Sequence, residues 1–221
     1  MPAGKIIDLR RLLAEKFPQE CLPPNDRLVT GLPIFDQTVA GGLTKGAITE
    51  LASPAPQAGS ASLIGALLER ARHDRYFMAL IDGADSFDPQ SSGPGALPHL
   101  LWVRCHTTRE AMQAADLLLR DGNFPLLILD LVLNPLSELR KIPSSNWYRL
   151  QRLVEPAPTA FLVLTPRSMI SSAQWKLVLE NQWRLPQLEA PAAELQAQMR
   201  ARVERAQMNK WRGDEALARV G

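Results

Sequence analysis

Apolar and polar positions along this chain fall into blocks that switch between a helical and a strand period. In "IIDLRRLLAEKF", residues 6–17, Ile6, Leu9, Leu12, Leu13 and Phe17 share one helical stripe while Arg10, Arg11 and Lys16 lie off it. The pattern predicts a short amphipathic helix, stopped by Pro18 and the "LPPND" turn. Its apolar stripe either packs back on its own chain or docks on a partner. Turn residues Gly41, Gly42 and Gly46 precede a short strand at 47–51. A helix follows at roughly 61–72, with Leu63, Ile64, Leu67, Leu68 and Ala71 on its buried face. "YFMALID" (76–82), "LLWVRC" (100–105) and "TAFLVLT" (159–165) read as strands, and "PLLILDLVL" (125–133) as a central one carrying a single acid. Thr107 and Glu110 form a capping box for a helix that Gly122 ends. Ser144-Ser145 before "NWYRLQRLV" signals another helix near 145–155, and "WKLVLENQWRL" (175–185) alternates as one or two edge strands. From Pro191 to about Trp211 a last helix is expected, with Leu195, Met199, Val203 and Ala206 on one side and Arg200, Arg202, Arg205 and Lys210 on the other.

Strands alternating with helices predict an α/β domain whose central sheet is mostly parallel and flanked by helices. The expected organisation is an N-terminal helix and linker (1–27), an α/β core (28–188) and a basic C-terminal helical tail (189–221). The 221 residues suit one full domain, and the 18 prolines fall mostly between the apolar runs, as loop punctuation should. A net charge of +2 excludes a molecule that holds DNA by bulk electrostatics, so any nucleic-acid role rests on local patches. Cys21 and Cys105 form neither a CxxC pair nor a disulfide framework, and the adjacent Cys105-His106 pair has no partners to complete a metal site. With no signal-peptide pattern and no apolar run of bilayer length, the cytoplasm is the expected location.

The stretch "ELASPAPQAGSASLIGALLERA", residues 50–71, has the layout of a phosphate-gripping loop: an apolar strand, a turn of small residues, a glycine and a helix. The working pattern is G-x-x-x-x-G-K-[ST], in which backbone N–H groups wrap the phosphates, the lysine neutralises them and the hydroxyl holds Mg²⁺. With Gly59 as the second glycine, Pro54 takes the place of the first, Ser60 that of the lysine and Ala61 that of the metal-binding hydroxyl. Pro54 and Pro56 have no N–H to donate, Ser60 brings no charge, and Ala61 cannot ligate a metal. Ser62 does not stand in, because one step along a helix turns a side chain by about 100°. Weak anion affinity is all that remains.

Several segments, in order, resemble the core of the RecA family. "TGLPIFDQTVAGGLTKGAITEL" is similar to that family's T-G-x-x-x-x-D start, glycine turn and G-x-I-x-E-L approach to the loop. "LIDGADSFDP" resembles I-D-A-E-x-x-x-D-P, and "LLWVRCHTTREAMQAADLLLRDGNFPLLILDLV" the stretch that ends in the Walker B strand. The likeness spans roughly residues 28–185 and implies a RecA-like core. It implies that the catalytic glutamate falls at Ala84, flanked by Asp82 and Asp85, that Asp130 is the residual Walker B acid, and that the polar sensor falls at Thr165. Three catalytic contributions are then missing, so a pseudo-ATPase with no bound cofactor or metal is expected. Two RecA-fold groups lack an intact loop. One is the ImuA-like group of DNA-damage mutagenesis factors, which this chain resembles more in length and opening; the other is the SulA-like group of division inhibitors. The first implies a RecA-like recombinase, an inactive Y-family polymerase, a translesion polymerase and single-stranded DNA as partners, with Leu9, Leu12, Leu13 and Phe17 as the docking stripe. The rival readings are the SulA-like inhibitor and an ATPase, or recombinase paralogue, with an unconventional loop.

In that family two loops, after the Walker B strand and after the next strand, contact DNA. Here they carry Arg140 and Lys141, and Arg167, a thin footprint for which a solvated loop is the commoner explanation. Arg200, Arg202, Arg205, Lys210 and Trp211 in the tail suit DNA or partner contact, and equally a solvated basic face.

Overall fold

In the computed structural model, which describes residues 27–39, 41–55, 58–92, 95–183, 190 and 192–206, the continuous apolar runs are strands and the 3.6-residue stripes are helices. β1 (Arg27–Leu28) and β2 (Leu43–Thr44) make a small antiparallel ribbon. The main sheet has seven strands: β3 (Ala47–Ala52), β4 (Met78–Asp82), β5 (Leu100–Arg104), β6 (Leu126–Asp130), β7 (Ala160–Thr165), β8 (Trp175–Leu179) and β9 (Ala201–Ala206). Their order is β5-β4-β6-β7-β3-β8-β9. β3 to β8 run parallel and β9 runs antiparallel to β8. The helices are α1 (Pro33–Asp36), α2 (Ser60–His73), α3 (Thr108–Asp121), α4 (Leu136–Leu139), α5 (Ser144–Val154) and α6 (Ala192–Ala197).

β6 and β7 are apolar almost throughout because helices cover both faces of a parallel sheet. On one face Leu51, Leu80, Ile128, Leu162 and Leu177 pack with Leu63, Leu67 and Leu68 of α2. On the other, Ile81, Leu129, Phe161 and Val163 pack with Ala115 and Leu119 of α3 and with Trp147 and Leu150 of α5. The predicted start of α3 is present: the Thr107 hydroxyl accepts from the Glu110 N–H at 3.2 Å, and Gly122 ends the helix in the left-handed region at φ 65°. The Glu110 carboxylate accepts from His106 N–H at 2.9 Å, and that bond, with the Thr107 backbone N–H beside it, holds its carboxyl below the usual range.

The end of the chain departs from expectation. Within the long helix predicted from 191 to about 211, the described residues are helical over Ala192–Ala197 only, and Ala201–Ala206 form β9, a strand of the main sheet. The backbone groups along β8 offer a ladder that outweighs the helical period of Met199 and Val203. β8, expected at an edge, is therefore interior. Leu9, Leu12, Leu13 and Phe17 of the predicted N-terminal helix, Pro56 of the loop, and Lys210 and Trp211 of the tail lie outside the described residues.

Candidate functional site

Parallel α/β sheets bind ligands at the carboxyl ends of their strands, and that edge gathers Pro54, Gly59, Ser60, Ala61, Asp82, Asp130 and Thr165. β3 ends into the turn bearing Pro54, which is exposed, and Gly59 then caps α2 with φ 98°, a conformation glycine adopts freely. Ser60 and Ala61 are the first two residues of α2. The indole of Trp183, which is 6% exposed, lies against Gly59: a methyl group there would sit 2.5 Å from Cζ3 and 2.9 Å from Cη2. Glycine is thus required twice over, for its dihedral and for the ring beside it. No residue of the sequence pattern had pointed to Trp183, because the contact joins positions far apart in the chain.

The acids of this edge serve their own chain. Asp82 and Asp130 are register partners on adjacent strands. The Asp82 carboxylate accepts from Phe87 N–H at 2.8 Å, and from Ser86 Oγ and Trp102 Nε1 at 3.3 Å each, which folds the turn after β4 back over the strand end. Asp130 Oδ1 accepts from Val132 N–H at 3.0 Å. Burial pushes the Asp130 carboxyl up to about 6 against that bond, and the Asp82 charge adds to the rise. Ala84 stands in the turn between them, and Asp85, at φ 52°, holds Arg104 through two bonds of 2.6 and 2.7 Å. Its carboxyl is held below the usual range by that guanidinium, which also lies 5.0 Å from the centre of the Trp102 ring.

A second polar knot, absent from the sequence reading, centres on Glu50. It is fully buried and accepts from Thr165 Oγ1 at 3.1 Å, Met169 N–H at 2.7 Å and Ile170 N–H at 3.1 Å. Lys176 Nζ lies 3.4 Å from its other oxygen. Glu50 and Lys176 are register partners on β3 and β8, so the signal was in the sequence: one acid and one base, each inside an apolar strand. Thr165, the expected polar sensor, is here bonded to Glu50 and buried. The knot ties down the loop after β7.

The loop after β6 is tied in the same way. Asn134 Nδ2 donates to Gly83 O at 2.8 Å and Thr108 Oγ1 at 3.2 Å, and Thr108 Oγ1 donates to Glu138 Oε2 at 2.9 Å. Arg140, Lys141 and Arg167 stay exposed on these loops. Arg202 and Arg205 lie on β9 rather than on a helix face; Arg205 donates to Ser171 O at 3.3 Å, and Arg202 is 3.4 Å from Glu180. Arg200, just before the strand, donates its N–H to Asn181 Oδ1 at 2.7 Å. The edge strand thus sits beside the loop that carries Arg167, whereas Lys141 belongs to a groove between α3 and α5.

Among the described residues no group of His, Cys, Asp or Glu is placed to hold a metal ion, and no helix is long and apolar enough to cross a membrane. Cys105 is buried, and burial pushes its thiol up. Fold and site together define an α/β protein with a mostly parallel seven-stranded sheet and a capped, lysine-free turn between β3 and α2. No known protein-family model matches the chain, and no curated protein matches it.

Proposed function

We propose that this chain is a RecA-fold pseudo-ATPase that acts through protein and DNA contacts in a DNA-damage response, most like the ImuA-type mutagenesis factors. The observation that carries the non-catalytic part is the Trp183 ring packed on Gly59, with Ser60 and Ala61 where a cation and a metal-binding hydroxyl would stand. Ser60 and Ala61 supply neither the cation nor the metal-binding hydroxyl that a triphosphate would use there. Asp130 Oδ1 is already engaged by the Val132 N–H at the strand end, which suits a structural group. The DNA-damage part is supported by the likeness of residues 28–185 to RecA-fold segments. Its partners are then a RecA-like recombinase and a translesion polymerase pair, with Arg167, Arg200, Arg202 and Arg205 as the cations available for single-stranded DNA.

Calorimetric titration with ATP and Mg²⁺ tests the first part: no heat of binding is expected, and micromolar affinity overturns it. Pull-down from cells exposed to a DNA-damaging agent tests the second. Recovery of a tubulin-like division protein in place of recombinase and polymerase would transfer the chain to the SulA-like reading.

A further inference from the structure

We propose that the groove between α3 and α5 is a docking site for an acidic amphipathic helix of a partner protein. The groove encloses about 860 Å³. One wall is the stripe Arg109, Met112, Gln113, Asp116 and Leu117 of α3, which repeats at helical spacing over two turns. Asn146, Arg149 and Leu150 of α5 face it, and Lys141 and Ile142 close one end. Met112 and Leu150 form a floor 9% and 2% exposed, whereas Leu117 on the wall is 67% exposed. Leu117 carries the apolar surface of the floor out to the mouth of the groove.

Charge selects the partner. Both carboxylates of the groove are engaged from within: Asp116 by Arg120 at 2.9 Å and Arg149 at 2.8 Å, Glu138 by Thr108 at 2.9 Å. Arg109 and Lys141 are exposed, and among the described residues neither has an ion pair. The lining therefore holds three cations, Arg109, Lys141 and Arg149, against two carboxylates, Asp116 and Glu138, and this net positive charge beside apolar anchors fits glutamates flanking leucines on one helix face. A nucleic acid would leave the apolar floor of Met112 and Leu150 unused, so a peptide is the better match. The lining stripe of α3 runs about 12 Å at helical rise, the length of two turns of an opposing helix. The inference does not depend on the nucleotide question.

The test uses the full chain and a fluorescein-labelled helical peptide of about 18 residues with leucines at i, i+3, i+4 and i+7 and glutamates elsewhere, beside a twin with lysines for glutamates. In fluorescence anisotropy the glutamate peptide should bind at least about tenfold more tightly than the twin. Arg109→Glu with Lys141→Glu should invert that preference, Lys141→Gln should weaken it partway, and Leu117→Ser should weaken both peptides. Absence of binding by the glutamate peptide, equal binding of the twins, or a preference untouched by the charge reversal overturns the proposal.

Discussion

Two helices begin at the same edge of the sheet and meet different surroundings. At α2 the turn is closed by its own chain: the Trp183 ring covers Gly59, and nearby Asp82 and Glu50 have their oxygens occupied by Phe87, Trp102, Met169 and Ile170. At α3 the first turn is likewise satisfied internally, by Glu138, but beside it a groove stays open with exposed Leu117, Arg109 and Lys141 on its walls. Polar groups already paired inside the chain have little left for a ligand; unpaired cations over apolar surface do. The turn before α2 is packed from within, whereas the groove beside α3 leaves a leucine and two cations exposed on its walls.

That contrast can be broken by substitution, and the largest effect should come from the Glu50 knot. Lys176→Ala leaves a carboxylate fully buried without its counter-charge, for which a loss of about 3–5 kcal/mol is expected in urea unfolding. Glu50→Gln with Lys176→Met, which removes both charges and keeps an acceptor for the Met169 and Ile170 N–H groups, should cost less than the single change; a double variant as unstable as the sum of two singles would refute the pairing.

Asp130 comes next and depends on pH. Its folded value of about 6 lies above the ordinary carboxyl value, so the folded state binds more protons between about pH 4 and 6. The stability this group contributes is full below about pH 4 and lost as pH rises through 6, a change on the order of 3 kcal/mol. Asp130→Asn removes that slope, so the variant should gain on the native protein from pH 4 to pH 7; parallel stability profiles would show that Asp130 does not titrate this way.

Gly59→Ala drives a methyl into the indole at a positive φ, and a loss of about 1–3 kcal/mol is expected, read as a lower Tm and altered tryptophan fluorescence. Trp183→Leu in the same chain should recover part of it, and no recovery would mean the ring is not the obstacle. The smallest structural effect is Thr107→Ala, which removes the cap of α3 at about 1 kcal/mol. On the groove side, Arg109→Glu and Lys141→Glu should change stability by no more than about 0.5 kcal/mol. A large loss there would erase the distinction between the two regions.

Much of the fold could be read from local pattern. The apolar run around Leu126–Asp130 and the Thr107–Glu110 cap with Gly122 are each encoded within a few residues, and each appears where expected. The missing lysine after Gly59 is equally local. What escaped detection was contact between distant positions. Glu50 and Lys176 are far apart in sequence and meet only because β8 lies beside β3. Arg202 and Val203 fit a helical stripe as well as a strand, and only the ladder along β8 decided between them.

By itself, then, the sequence determined the strands and helices from β3 to β7, since period, caps and turn residues act over one or two turns of chain. It also determined that Ser60 and Ala61, not a lysine and a threonine or serine, follow Gly59, because that is a matter of residue type. Only the tertiary structure decided the strand order, the burial of Glu50 beside Lys176, the indole over Gly59 and the groove beside α3. Those arise when backbone ladders and apolar faces compete for partners across the whole chain, a competition that no short window of sequence contains.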